Sequence, residues 1–182
     1  MRFFLISGSV SNPAHTTALI EEVADRLRKK GFEAIVWDLR KCPLPIADPM
    51  YHNEPEKNTD ETVRSFVYQA RYSDAFVLGS PNYHNSYSGV LKNALDILNM
   101  DIFRNKPVGL VGNGGGMRST QPLDHLRIVV RGLLGVAIPI QVASCKSDYI
   151  LVGDQYKVKA IDLINRLELF TEQLVDYTIK LK

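Results

Sequence analysis

Five short apolar runs punctuate the chain: Phe3 to Ile6, Ala34 to Trp37, Ala75 to Leu78, Val108 to Val111 and Ile138 to Val142. Each has strand length, and most are rich in β-branched or aromatic residues and stop at Gly, Ser or Asp. Apolarity without alternation is the pattern of a strand buried on both faces, as in a parallel sheet. Between the runs the spacing becomes helical. Leu19, Val23 and Leu27 form one stripe, Val63, Phe66 and Val67 a second, and Val90, Leu91, Ala94, Leu95 and Leu98 a third. Leu126, Ile128 to Val130, Leu133 and Leu134 follow, then Ile161, Ile164, Leu167, Leu174 and Val175. The spacing of Val90, Leu91, Ala94 and Leu98 predicts a core-facing stripe, with Ile97 off it and exposed.

Strand and helix alternate along a chain of 182 residues, the length of one large domain. Alternation demands right-handed crossovers, helices on both faces of the sheet, and ligand loops at the carboxyl ends of the strands. One stretch interrupts it. Arg40 to Asn58 is long and irregular, with prolines at 43, 45, 49 and 55, and loops of that length in a compact domain are expected to serve a site or a partner.

After the first strand run the sequence reads Gly8-Ser9-Val10-Ser11-Asn12-Pro13-Ala14-His15-Thr16-Thr17 and enters a helix. Hydroxyls and unpaired N–H groups at a helix N-terminus suit a dianion, with Ser9, Ser11, Thr16 and Thr17 as side-chain donors and His15 as a possible added charge. Position 10 is Val, which excludes G-x-G-x-x-G, and no Gly-Lys follows Gly8, which excludes the P-loop; a monophosphate fits best. After the third run comes Pro81-Asn82-Tyr83-His84-Asn85-Ser86-Tyr87-Ser88-Gly89. Its tyrosine faces and its backbone N–H groups from Asn82 to Asn85 suit a planar heterocycle. After the fourth come Gly112-Asn113-Gly114-Gly115-Gly116-Met117-Arg118-Ser119-Thr120, where glycines let the main chain approach a ligand closely. Arg118 is a candidate partner for a ring carbonyl or a nucleotide 2′-phosphate.

The stretch S-P-N-Y-H-N-S-Y-S-G-V-L-K-N-A-L-D, from Ser80 to Asp96, resembles the flavin-contacting signature of the NADPH-dependent FMN reductases, a family that includes two-component flavin reductases and azo- and quinone reductases. The Gly8-Ser9 loop and the glycine run extend the resemblance to about Val142. It implies a flavodoxin-like, doubly wound five-stranded parallel sheet in the order 2-1-3-4-5, and one FMN-binding domain over residues 1–182. It implies FMN as cofactor, NAD(P)H as co-substrate, and a homodimer or tetramer formed through the Ser88–Leu98 helix. By motif, Ser9, Ser11, Thr16 and Thr17 would hold the ribityl phosphate. Pro81, Asn82, Tyr83, His84 and Asn85 would hold the ring, with Ser88 and Gly89 beside it and Gly114, Gly115 and Gly116 facing the pyrimidine. Many members carry an arginine where this chain has Ser11, so the flavin is expected to exchange as readily as it stays.

The implied activity is hydride transfer from nicotinamide to flavin N5, with electrons passing on to free flavin for a partner monooxygenase, or to quinone, azo or ferric acceptors. The rival is an FMN electron carrier without catalysis. Carriers of this kind tend to be strongly acidic, whereas 22 basic and 20 acidic residues give this chain a formal charge of +2 and a pI of about 8.5. A phospho-receiver on the same fold needs acidic residues where Ser7-Gly8 and Gly79-Ser80 stand. No block of like charge suggests nucleic acid, and no apolar run is long enough for a membrane span. Two isolated cysteines, Cys42 and Cys145, suit a reducing cytoplasm, and the histidines have no partners at metal spacing, so no metal is expected.

Overall fold

The computed structural model describes all of residues 1–182. The elements alternate from β1 (Arg2–Ser7), α1 (His15–Lys29) and β2 (Glu33–Asp38) to α2 (Glu61–Arg71), β3 (Ala75–Pro81) and α3 (Gly89–Ile97). Then come α4 (Met100–Phe103), β4 (Pro107–Asn113), α5 (Gln121–Gly132), β5 (Val136–Ala137) and β6 (Val142–Ser144). The hairpin β7 (Tyr149–Val152) and β8 (Gln155–Val158) precedes α6 (Ile161–Leu181).

The sheet is parallel, in the order β2-β1-β3-β4-β5, with β6 also on β4. This is the expected order. The fifth position differs from the expected run Ile138 to Val142, because two short strands share the outer edge of β4, Val136 opposite Pro107 and Val142 opposite Val111. Pro139 has no N–H to give a ladder, and the next free one, on Ile140, donates to Gln173 Oε1 of α6 at 2.7 Å.

Each face of the sheet carries its own core. One is built with α2, α3, α4 and α5 around Phe4, Phe66, Phe76 and Phe103, all fully buried. The other is built with α1 and α6 around Phe3, Leu5, Leu19, Val23 and Phe170. Phe170 sets the tip of its ring against β4 at Gly109, where a Cβ would stand 2.4 Å from Cζ.

Two expectations for α3 are corrected. Val90 is exposed and Ile97 is buried, because the helix turns Leu91, Ala94, Leu95 and Ile97 toward the sheet. Much of the rest of α3 is covered by the chain itself: Asn93 donates to the Pro45 carbonyl (2.8 Å) and accepts from the Ala47 N–H (2.9 Å). The irregular stretch Arg40 to Asn58 is thereby tied to the helix, with single 3-10 turns at Pro49–Tyr51 and Pro55–Lys57.

Candidate functional site

The carboxyl ends of β1, β3 and β4 lie side by side, so the three candidate loops meet on one edge of the sheet. Hydrogen bonds join them. Gly8 N–H donates to Gly79 O at 2.8 Å, Ser88 Oγ donates to Gly8 O at 2.6 Å, and Asn82 N–H donates to Asn113 O at 2.8 Å.

The first loop runs from Gly8 to Ala14 into α1. A Cβ at Gly8 would come within 2.8 Å of both Gly79 O and Leu91 Cβ, so the close approach of this loop to β3 and α3 requires glycine. α1 has no side-chain cap and no acidic residue in its first turn. Between Ser9 and Thr17 only the Ser11 N–H finds an acceptor within the chain, Ser9 Oγ at 3.3 Å. A string of free donors at the positive end of a helix dipole suits an anion. Ser9 and Thr16 are buried beside it, and the Thr17 and Ser7 hydroxyls share a bond of 2.8 Å. Thr16 is inside the helix, after the N-cap Ala14, and so is not the cap.

His15 opens α1, and its ring is stacked on Tyr156 with centroids 3.8 Å apart and meets Tyr149 edge-on at 4.9 Å. Burial, helped by the charge of Lys146, holds this imidazole below its ordinary pKa. At neutral pH it brings an aromatic wedge to the loop, and the added charge expected of it is absent.

The second loop contains a tight hairpin turn. Tyr83 and Ser86 exchange N–H to C=O bonds at 2.9 and 3.0 Å, and His84 and Asn85 between them sit at φ 51° and 64°. Two positive φ values give the turn type that suits a hairpin, and non-glycine residues held there are a local strain of the kind found at binding sites. Ser86 Oγ pairs with His125 Nδ1 of α5 at 3.0 Å. The expectation for backbone donors narrows accordingly: the Asn82 and Tyr83 N–H groups are consumed internally, and those of His84 and Asn85 are free. Ser88 is committed to the scaffold. Its N–H donates to Ser80 Oγ (2.9 Å), while its hydroxyl caps α3 at Leu91 N and holds Gly8. Gly89, exposed, is the first residue of that helix.

The third loop turns at Gly114, where a Cβ would lie 2.1 Å from Met117 O, and at Gly115, with φ 77°. Gly114 N–H donates to Ser144 O (2.8 Å) and Gly115 N–H to Asn113 Oδ1 (3.1 Å), so neither is left for a ligand. The N–H groups of Gly116 and Met117 have no partner within the chain. Asn82 Nδ2 reaches Ser119 Oγ at 3.2 Å, while Asn82 Oδ1 is buried without a partner. An orphaned buried acceptor costs about 1–3 kcal/mol unless something donates to it, so this oxygen is available to a ligand donor.

Arg118 is not directed to a ligand as expected. Its guanidinium forks onto Asp148 (3.0 and 2.7 Å) and also binds Asp162. The residues absent from the sequence reading lie after β4: Asp148, Asp162, and Ser144 and Tyr149 of a buried relay in which Tyr149 donates to Ser144 Oγ (2.8 Å) and Asn113 Nδ2, from the end of β4, donates to the same oxygen (3.1 Å). Burial pushes the Tyr149 phenol well above its ordinary pKa. The hairpin that places Tyr149 had one sequence signal, Gly153-Asp154 between two four-residue runs. A groove of about 470 Å³ on the outer side of the first loop has mostly polar walls, among them Asp38, Arg40 and Asp154. No group of three or more His, Cys, Asp or Glu residues is placed to hold a metal ion.

A five-position parallel sheet of this order, with helices on both faces and three loops meeting at the carboxyl ends of β1, β3 and β4, defines a flavodoxin-like fold. The sequence profile described as NADPH-dependent FMN reductase matches residues 1–148. The chain belongs to that family of oxidoreductases. It is 41% identical over 181 residues to a protein named FMN-dependent NADPH-azoreductase from Staphylococcus saprophyticus, covering 97% of this chain and 95% of the relative. A protein of the same name from Staphylococcus aureus is 40% identical over 178 residues, with the same two coverages. Among solved structures, a flavoenzyme NAD(P)H:(acceptor) oxidoreductase from Paracoccus denitrificans superposes with a TM-score of 0.77 at 20% identity, covering 98% of this chain and 97% of its own. A flavodoxin from Streptococcus pneumoniae gives 0.60 at 16%, covering 96% and 97%.

Proposed function

We propose that this chain binds FMN across the three loops and catalyses the NADPH-dependent reduction of azo compounds, with quinones, ferric iron and free flavin as further acceptors of the same electrons. The observation that carries the reading is the unspent hydrogen-bonding capacity of this edge. Eight of its groups stand out: the N–H groups of Ser9, Val10, His15 and Thr16 in one cluster, then those of His84, Asn85, Gly116 and Met117 at the other two loops. A ligand with a dianion at one end and a polar planar ring at the other satisfies both clusters, and FMN is such a ligand. The azo acceptor follows from the names of the relatives at 40–41% identity.

In this reading Ser9, Ser11, Thr16 and Thr17 with the α1 N-terminus bind the phosphate. The buried Oδ1 of Asn82 accepts from a ring N–H, and the exposed phenol ring of Tyr83 borders the face where substrates enter. When bound, FMN would supply the redox chemistry, hydride acceptance from the nicotinamide and onward electron transfer. The protein orients the two rings and stabilises the negative charge that hydride acceptance produces, with charge-assisted bonds worth about 1.5–3 kcal/mol each. No arginine stands in the first loop, so FMN is held by hydroxyls and main chain and exchanges.

A second copy would meet this chain through exposed residues of and around α3, Val90, Ile46 and Met50 among them, since Ile97 and Asn93 are already engaged. Both cysteines are free thiols, which suits the cytoplasm, and no helix is long and apolar enough to cross a membrane.

The test is to mix the purified chain with FMN, NADPH and an azo dye and to follow the dye and nicotinamide absorbances together. Loss of both is expected. NADPH oxidation with an unchanged dye assigns another acceptor, FMN binding without oxidation of NADPH or NADH favours the electron carrier, and failure to bind FMN overturns the reading.

A further inference from the structure

The third loop leaves its distal backbone donors unspent. From Gly116 to Ser119 no backbone N–H has a partner in the chain, and its main-chain anchors are the Gly114 N–H on Ser144 and the Lys146 N–H on Gly115 O (2.7 Å). Two side chains fix the distal half of this turn: Ser119, whose hydroxyl accepts from Asn82 Nδ2 and donates to Gln121 Oε1, and Arg118. Its Nε and one terminal nitrogen bind the two oxygens of Asp148, and its other terminal nitrogen binds Asp162.

The two carboxylates are not equivalent. Asp148 is buried, with its side chain 6% exposed, and one of its oxygens also accepts the Cys145 N–H at 2.8 Å. Its carbonyl receives the N–H groups of Lys159 and Ala160, so it ties the start of β7 to the start of α6. Asp162 lies in the first turn of α6 and is 65% exposed. A planar guanidinium held by two carboxylates from different elements fixes direction as well as distance.

We infer that Arg118 is a positioning residue: by clasping Asp148 and Asp162 it holds the Gly114–Ser119 turn so that the Gly116 and Met117 N–H groups stay free for the flavin ring. The inference rests on the FMN reading above. It differs from a role as direct ligand, in which a cation would need to be available to a phosphate or a ring carbonyl.

The experiment compares Arg118→Gln, Arg118→Lys, Asp162→Asn and the Arg118→Gln/Asp162→Asn double variant with wild type. FMN affinity is read by flavin fluorescence quenching, the environment of the bound ring by its visible spectrum, and the turn by amide hydrogen exchange over residues 114–119. Arg118→Gln should weaken FMN at least tenfold, shift the spectrum and speed exchange in the turn. Asp162→Asn, at an exposed site that the fold tolerates, should act in the same direction more weakly, Arg118→Lys should recover part of the affinity, and the double variant should be no worse than Arg118→Gln. If Asp162→Asn instead tightens FMN or NADPH by freeing the guanidinium, Arg118 is a direct ligand and the inference is overturned. Unchanged affinity and exchange in Arg118→Gln overturn it as well. Should wild type bind no FMN, the cofactor reading fails separately, and exchange in the turn still decides whether the clasp holds it.

Discussion

At the scale of single residues, this site is shaped as much by what is missing as by what is present. Gly8 has no Cβ, so the first loop can lie against Gly79 O and Leu91 at once. Gly8→Ala should lower stability by about 1–3 kcal/mol through overpacking and weaken FMN, read by chemical denaturation and by fluorescence titration. The residues expected to touch a ligand divide on the same principle. Ser9 and Thr16 are buried beside the free N–H groups of the first loop, whereas Ser88 spends its hydroxyl on Gly8 and Leu91 and Arg118 spends its charge on carboxylates. Sequence can show that a side chain is able to donate. It cannot show that a neighbour distant in the chain has already taken the donation, since Ser88 and Gly8 are partners across 80 positions.

At the scale of elements, the buried strands were legible because all seven residues of β3 and of β4 are buried, which leaves an unbroken apolar or small-residue run. The fifth position was not, because its pairing is divided around Pro139 into pieces of two and three residues, too short to leave a period. The hairpin β7–β8 was lost for a related reason: Ile150, Leu151 and Val152 are all exposed, so apolarity there does not report the core. Arg40 to Asn58 could be recognised as irregular, but not as pinned. Its tie to α3 runs through both ends of the Asn93 amide, two bonds of about 1 kcal/mol each. Asn93→Ala should therefore cost about 1–2 kcal/mol, and limited proteolysis should cut between residues 40 and 58 sooner than in wild type.

At the scale of the whole molecule, acid should loosen the fold in two stages. Burial lowers the pKa of His15 in the folded chain, so below about pH 6.5 the unfolded chain takes up the proton first and stability falls. Burial pushes the Asp148 carboxyl up, but the bonds from Arg118 and the Cys145 N–H prevail and hold it below its ordinary value; the bond from Arg118 does the same for Asp162. The contribution of these depressed acids is complete above about pH 4 and disappears as pH drops through their folded values. Melting temperatures from pH 8 to pH 3 should show both declines, and His15→Phe should remove the first and leave the second. A single decline, unchanged by that substitution, would contradict the assignment.

Gly109 and Phe170 also bear on how the molecule comes into being. The socket that β4 offers at Gly109 is filled by a ring 61 positions further along the chain, so during synthesis the inner face of β1, β3 and β4 emerges long before the helix that covers half of it. Until α6 leaves the ribosome, Gly109 and Val111 of β4 and Val142 of β6 present an open apolar strip, the kind on which nascent chains stick to one another or recruit chaperones. The family profile stops at Asp148, ahead of the helix that finishes this core.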